Sequence, residues 1–318
     1  MERNLALELV RVTEAGALAA ARENGRGNEM APERAATEAI HRAWNSITLQ
    51  GEIVVGDPQQ VEGDLLASGA WLGSEGQQVD IAVDPLEGGI SCALGGPNAM
   101  SIIAIATKGS LLRCPQHTYM EKIATAADGR GVVDLDKTPV ENLRALAERR
   151  SVYVEDLTVV VLDRPRHDAL IEEVRAAGAR VRLIPHGDVA AAMAAAKPDS
   201  GIDMLLGTGG ASQGILSASA VKCMGGFMQC RYRPRNQPET NALYAAGVTD
   251  LDRKLELEDM ARGHIVFVAT GVTNGEYLQG VRFLKGGAVT NSVVMRSQSG
   301  TRRLLETWHR FEYKPDYS

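Results

Sequence analysis

The sequence predicts an α/β fold in the second half of the chain and a mixed α+β arrangement in the first. Two observations predict it. Beyond residue 156, short apolar runs alternate with helix-length segments, the pattern of a parallel sheet joined by crossover helices. Before that point, two helical segments precede short apolar runs bounded by glycine, proline and polar turn residues.

The first helix is predicted from Leu5 to about Arg22, where Leu5, Leu9 and Val12 recur at helical spacing and Gly25 and Gly27 stop the pattern. A second runs from Pro32, a residue suited to a first helical turn, to about Ile47. Glu52–Val55, Val79–Val83 and Ser101–Thr107 are predicted strands, and Pro139–Arg149 a helix. Ser151–Glu155 marks a boundary, dividing the chain into domains 1–155 and 156–318, with the last strands free to return to the first domain. The second half continues as strand Leu157–Leu162, helix Arg166–Ala177, strand Val181–Pro185, helix Asp188–Ala196, strand Met204–Gly207 and helix Ser212–Cys223. Ile265–Thr270 and Ala288–Met295 follow as strands, and Thr301–Trp308 as a closing helix.

With 318 residues, the chain is long enough for two medium domains. A hydrophobic content of 44% and a charged content of 23% are those of a globular protein. The net charge of −6 argues against a nucleic-acid binder, which would carry a basic face. No apolar run is long enough to span a bilayer, and the first residues lack signal-peptide order, so a cytoplasmic setting without a membrane partner is expected. Cys92, Cys114, Cys223 and Cys230 are scattered, which predicts reduced thiols rather than a zinc site. The histidines do not group either. A metal in this chain is therefore expected to be a hard ion held by oxygen, magnesium or manganese.

The sharpest local motif is Asp84-Pro85-Leu86-Glu87-Gly88-Gly89 at the end of an apolar strand. Proline turns the chain and removes a backbone donor, so two carboxylates and a carbonyl are able to converge on a hard cation. The same residues also suit a capped turn with a solvated glutamate. Asp57, after Gly56, ends the preceding strand, and Asn28-Glu29 lies between the first two helices. Gly207-Thr208-Gly209-Gly210-Ala211-Ser212-Gln213 links a strand to a helix and suits either an anion or a tight turn. Arg164 and Arg166 follow one strand, and His186-Gly187-Asp188 the next, at the edge where α/β sites form. Asp188 serves equally as a helix cap. Tyr119, in Tyr119-Met120-Glu121-Lys122, carries a hydroxyl able to bind phosphate.

Together these motifs resemble the class II fructose-1,6-bisphosphatases, the bacterial type encoded with glycerol metabolism, within the lithium-sensitive, inositol-phosphatase-like superfamily. The resemblance runs from Glu8-Leu9-Val10-Arg11-Val12-Thr13-Glu14 to Ala269-Thr270-Gly271-Val272-Thr273 and the final strands, through Gly25-Arg26-Gly27, the Asp84 turn, Asn98-Ala99-Met100 and Arg164-Pro165-Arg166-His167-Asp168. It implies a two-domain layered sandwich of helices and sheets and a magnesium- or manganese-dependent phosphatase acting on a sugar phosphate or bisphosphate. It also implies a homo-oligomer. Asp84, Glu87 and Asp57 are then metal ligands and catalytic residues, with Asn28 and Gln213 as further metal candidates. Gly88, Gly89, Tyr119, Arg164, Arg166, His186, Gly187, Asp188 and Gly210 fall at substrate positions.

The chain departs from the family pattern around the metal. Asn28 and Gln213 stand where the resemblance places acids, Asp57 where it places glutamate, and His186 where it places aspartate. Gly89 replaces a threonine whose hydroxyl helps activate water. Two lost negative charges weaken cation binding. The alternative is therefore a paralogue that binds a sugar phosphate without hydrolysing it.

Overall fold

The computed structural model describes residues 5–56 and 65–313. The chain divides into two compact units, Met1–Leu111 with Gly263–Ser318, and Leu112–Arg262. The first begins with α1 (Leu5–Ala21), α2 (Ala31–Trp44), β1 (Leu49–Val55), β2 (Trp71–Leu72), β3 (Gln77–Glu87), α3 (Gly89–Ala93) and β4 (Met100–Thr107). The second holds β5 (Tyr119–Thr125), α4 (Pro139–Arg150), β6 (Thr158–Leu162), α5 (Asp168–Ala176), β7 (Arg180–Ile184), α6 (Asp188–Ala196) and β8 (Met204–Gly210). It continues with α7 (Ala211–Met224), β9 (Phe227–Tyr232), α8 (Gln237–Ala245), β10 (Leu255–Glu256) and α9 (Leu257–Met260). The chain then returns to the first unit as β11 (Ile265–Gly271), β12 (Arg282–Leu284), β13 (Gly287–Arg296) and β14 (Thr301–Arg310).

In the first unit, the described strands form an eight-stranded sheet ordered β12-β13-β11-β4-β3-β1-β2, with β14 pairing β13. Only β1 and β3 run parallel among these ladders; the others are antiparallel. Alternation puts Val79, Ile81 and Val83 of β3 and Ile103 and Ile105 of β4 on one face, where they pack with Leu9, Val12, Ile40 and Trp44 of α1 and α2. A second device ties α1 to the late strands. Thr290 Oγ1 donates to Glu14 Oε1 at 3.1 Å and meets His309 Nε2 at 2.8 Å, all three residues being buried.

The second unit has a six-stranded sheet ordered β10-β9-β5-β8-β6-β7 among the described residues. Its centre is the expected parallel set, with β6 parallel to both β7 and β8. β5 and β9 extend it as antiparallel strands. Met120, Ala124 and Leu205 face α6 and α7 in one apolar layer; Ile123, Met204 and Leu206 face α4 and α5 in the other. Helices therefore cover both faces of this sheet. α4 opens on a capping box in which Thr138 and Glu141 satisfy each other's backbone donors.

Two expectations are corrected. The division does not fall at 155/156, because β5 pairs with β8 and β9, drawing residues from 112 onward into the second unit. Thr301–Trp308 is not a helix but most of β14, paired antiparallel with β13 from Gly287↔Arg310 to Arg296↔Thr301. Leu304 and Trp308 stay exposed on that strand, so their spacing of four reflects one strand face rather than a buried helix stripe.

Candidate active site

In the first unit, the Asp84–Gly88 segment takes its shape from Pro85. The β3–β4 ladder pairs Asp84 with Ile102 and Glu87 with Met100, with a register shift between them. Proline has no N–H to give the ladder, so the strand bulges at this point. Asp84 Oδ1 accepts the Leu86 N–H at 3.1 Å and closes the turn. Gly88 has φ +82°, and a Cβ there would stand 3.4 Å from Ala99 Cα. Glycine alone adopts that backbone at low cost. Asp84 is 8% and Glu87 4% exposed, so two carboxylates within four residues are withdrawn from water. Such burial is tolerated where cations or hydrogen-bond donors compensate it.

A third carboxylate reaches the same turn from α2. Glu33 Oε2 lies 3.4 Å from the point where a Cβ on Gly89 would sit. Sequence reasoning missed Glu33 because an acid in a first helical turn is already explained by the helix dipole. Asn28 acts locally, its Oδ1 accepting the Met30 N–H at 3.2 Å on the approach to α2. Asp57 lies outside the described residues. No group of three or more His, Cys, Asp or Glu side chains among the described residues forms a ready metal cage. The donors at the turn are nonetheless carboxylate oxygens, the chemistry that suits a hard divalent cation completing its shell with water.

In the second unit, the parallel strands β6, β7 and β8 end on one edge, and the substrate candidates of this unit gather along it, while Gly88 and Gly89 stay with the Asp84 turn of the first unit. Tyr119 opens β5 directly opposite Gly210, so its partner across the ladder carries no side chain. The guanidinium carbon of Arg166 lies 5.3 Å from the Tyr119 ring centre and that of Arg235 lies 3.9 Å from it. Arg235, which no sequence motif marked, is held by Glu239 at 2.6 Å and donates to His117 O at 3.2 Å. Arg166 Nε and Nη2 donate to Thr208 O at 2.9 and 2.7 Å. Arg164 donates to Asp163 O at 2.7 Å and Pro185 O at 2.6 Å, with His186 Nδ1 at 3.4 Å from its Nη2.

The glycine-rich link is bolted from below by His167. Its Nδ1 donates to Leu162 O at 2.8 Å, which leaves Nε2 to accept the Thr208 N–H at 2.8 Å. Burial holds the His167 pKa below the ordinary imidazole value, and neighbouring Arg166 pushes the same way. His186 is likewise lowered, by burial and then by Arg164. Gly187, at φ +100°, caps α6, and Asp188 is its first residue. Asp188 Oδ2 accepts from Lys122 Nζ at 2.5 Å, and both side chains are buried. Gln213, in the first turn of α7, folds its carboxamide oxygen over Gly210.

Each unit thus carries a distinct chemical resource: carboxylate oxygens on the first, and guanidinium groups, glycine backbone and two helix N-termini on the second. The second set suits phosphate, since arginine forks and helix N-termini both favour anions.

The family model described as bacterial fructose-1,6-bisphosphatase, glpX-encoded, matches residues 3–309. A D-fructose 1,6-bisphosphatase class 2/sedoheptulose 1,7-bisphosphatase of Synechococcus elongatus is 39% identical over 338 positions, covering 98% of each chain. One of the same name from Synechococcus sp. strain JA-3-3Ab is 39% identical over 335 positions, covering 97% of this chain and 96% of the relative.

Proposed function

The chain belongs to the family of glpX-encoded bacterial fructose-1,6-bisphosphatases, and from that premise we propose that it is a divalent-metal-dependent phosphatase hydrolysing a sugar bisphosphate. Fructose 1,6-bisphosphate and sedoheptulose 1,7-bisphosphate are the substrates the relatives' names point to. The observation that carries this function is the pair of buried carboxylates, Asp84 and Glu87, on a turn that Glu33 also approaches.

Asp84, Glu87 and Glu33 would hold the cation, magnesium or manganese, with Asp57 as a further ligand, while Asn28 shapes the approach to α2 through the Met30 N–H and Gln213 stays over Gly210 in its own unit. When bound, the cation neutralises charge on the transferring phosphoryl group. Gly88 and Gly89 let the phosphate approach backbone that no side chain shields. Arg164, Arg166, Tyr119, His186 and the N-terminus at Gly187 orient the sugar phosphate, and Asp188 and the Gly210 backbone take part in holding the sugar. Binding energy from these groups, remote from the bond that breaks, is then available for positioning. A cytoplasmic setting and a homo-oligomeric assembly belong to the same proposal.

A second function, binding without hydrolysis, is favoured by one observation: Gly89 offers no hydroxyl beside Glu33. Phosphate release from fructose 1,6-bisphosphate, sedoheptulose 1,7-bisphosphate and the matching monophosphates, with magnesium and with manganese, separates the two. Release from a bisphosphate supports hydrolysis. Calorimetric binding of the same sugars with no release from any of them supports the second function.

A further inference from the structure

We propose, resting on the sugar-phosphatase function above, that Lys122 is a positioning residue for substrate: it neutralises Asp188 from beneath and aims the remaining carboxylate oxygen at a sugar hydroxyl. Lys122 lies on the same face of β5 as Met120 and Ala124, the face covered by α6 and α7. Its ammonium is therefore delivered under the N-terminus of α6 rather than to solvent. There it donates to Asp188 Oδ2 at 2.5 Å, with side-chain exposures of 2% and 7%. The pair is roofed by bare backbone. A Cβ on Gly209 would collide with Asp188 Oδ2 and stand 3.0 Å from Lys122 Nζ. One helical turn into α7, a Cβ on Gly214 would stand 3.5 Å from Lys122 Cε and 3.7 Å from Cys230 Sγ. Two glycines thus keep the space that the lysine occupies.

The chemistry follows from the charges. An unneutralised carboxylate at the edge that carries Arg164 and Arg166 would repel a phosphate and cancel part of their field. With Lys122 on Oδ2, the pair is neutral as a unit, and Oδ1 is the acceptor that remains. A carboxylate oxygen accepts a hydrogen bond from a sugar hydroxyl, whereas an anionic phosphate oxygen is itself an acceptor and is repelled. Asp188 is thereby assigned to the sugar and the arginines to the phosphate. A single buried lysine permits both to share one edge.

The test is steady-state phosphate release from fructose 1,6-bisphosphate by Lys122→Met, Gly209→Ala and the double variant Lys122→Met/Asp188→Asn, with thermal unfolding of each. Lys122→Met is expected to raise KM by about tenfold or more with kcat within about threefold, the signature of lost substrate binding. Gly209→Ala moves the carboxylate without changing any charge and is expected to raise KM in the same direction. The double variant removes the unpaired charge, so its Tm should recover toward wild type while KM stays high. A KM unchanged in Lys122→Met or Gly209→Ala overturns the inference, as does a double variant that regains KM together with Tm. If Lys122→Met does not fold, Gly209→Ala and the double variant decide. A wild-type protein that neither binds nor hydrolyses the sugar overturns the parent function as well; failure of the variants alone overturns only the role of Lys122.

Discussion

Glu33, at the start of α2, places a carboxylate oxygen 3.4 Å from the position where any side chain on Gly89 would begin. Residues far apart in the chain thus share one point, beside two buried carboxylates at Asp84 and Glu87. The proposed role of Glu33 at the cation rests on this proximity, whereas Asn28 serves the turn before α2, its side-chain oxygen accepting the Met30 N–H.

Glu33→Gln should therefore raise the metal concentration needed for half-maximal phosphate release by about 10–100-fold, the usual range for losing support to a metal site. Asn28→Ala should change it by less than about threefold, since it removes a turn contact only. Metal titration of both variants checks the pair. A larger effect at Asn28 than at Glu33 would reverse the assignment.

Gly89→Thr should increase kcat. The new Cβ has room, because its nearest neighbours are Glu33 Oε2 at 3.4 Å and Leu86 Cδ2 at 3.7 Å. The hydroxyl would then lie within reach of Glu33 and be oriented by it. General-base assistance contributes about 10²–10⁴ in rate, so a gain of at least tenfold is expected from restoring such a group. The gain should vanish in Gly89→Thr/Glu33→Gln, measured by kcat on the same substrate.

Acidification should destabilise the second unit through His167. Its folded pKa is lowered from the ordinary 6.5, chiefly by burial. Below 6.5 the unfolded chain takes up a proton that the folded chain refuses, so stability present above that pH is lost as pH falls toward the folded value. The slope for one such group is at most about 1.4 kcal/mol per pH unit. His186 acts with the same sign. Urea unfolding between pH 7.5 and 5 should show this loss, and His167→Gln should flatten it. An equal slope in the variant would show that His167 is not its source.

Thr290→Val should lower stability without touching turnover. The hydroxyl joins Glu14 and His309 in a buried site linking α1 to β13 and β14. Stripping a partner from buried polar groups costs about 1–3 kcal/mol. The urea midpoint should fall while kcat per folded molecule stays at the wild-type value.

Much of the fold is legible in the sequence, for identifiable reasons. Strands β6 and β8 are buried in the sheet and read as apolar runs, and the helices between them carry their own periodicity, so the alternation is visible without any long-range information. The Asp84 turn is legible because its residues are contiguous. β5 is hidden because Glu121 and Lys122 interrupt its apolar pattern, and the reason a lysine is acceptable there, Asp188, is 66 residues away. β14 reads as a helix because Leu304, Leu305 and Trp308 mimic a helix stripe, whereas pairing with β13 decides the matter. Glu33, His167 and Arg235 each depend on a partner distant in sequence, and single residues of common type carry no mark of that.

Phosphate release from fructose 1,6-bisphosphate as a function of magnesium and manganese, by wild type and Asp84→Asn side by side, tests the central claim most directly. Release should rise with metal, be abolished by a chelator and fall by at least about 10²-fold in Asp84→Asn, as for loss of a group required in the transition state. Release that persists in chelator, or that Asp84→Asn leaves intact, would contradict a metal-dependent phosphatase built on this turn.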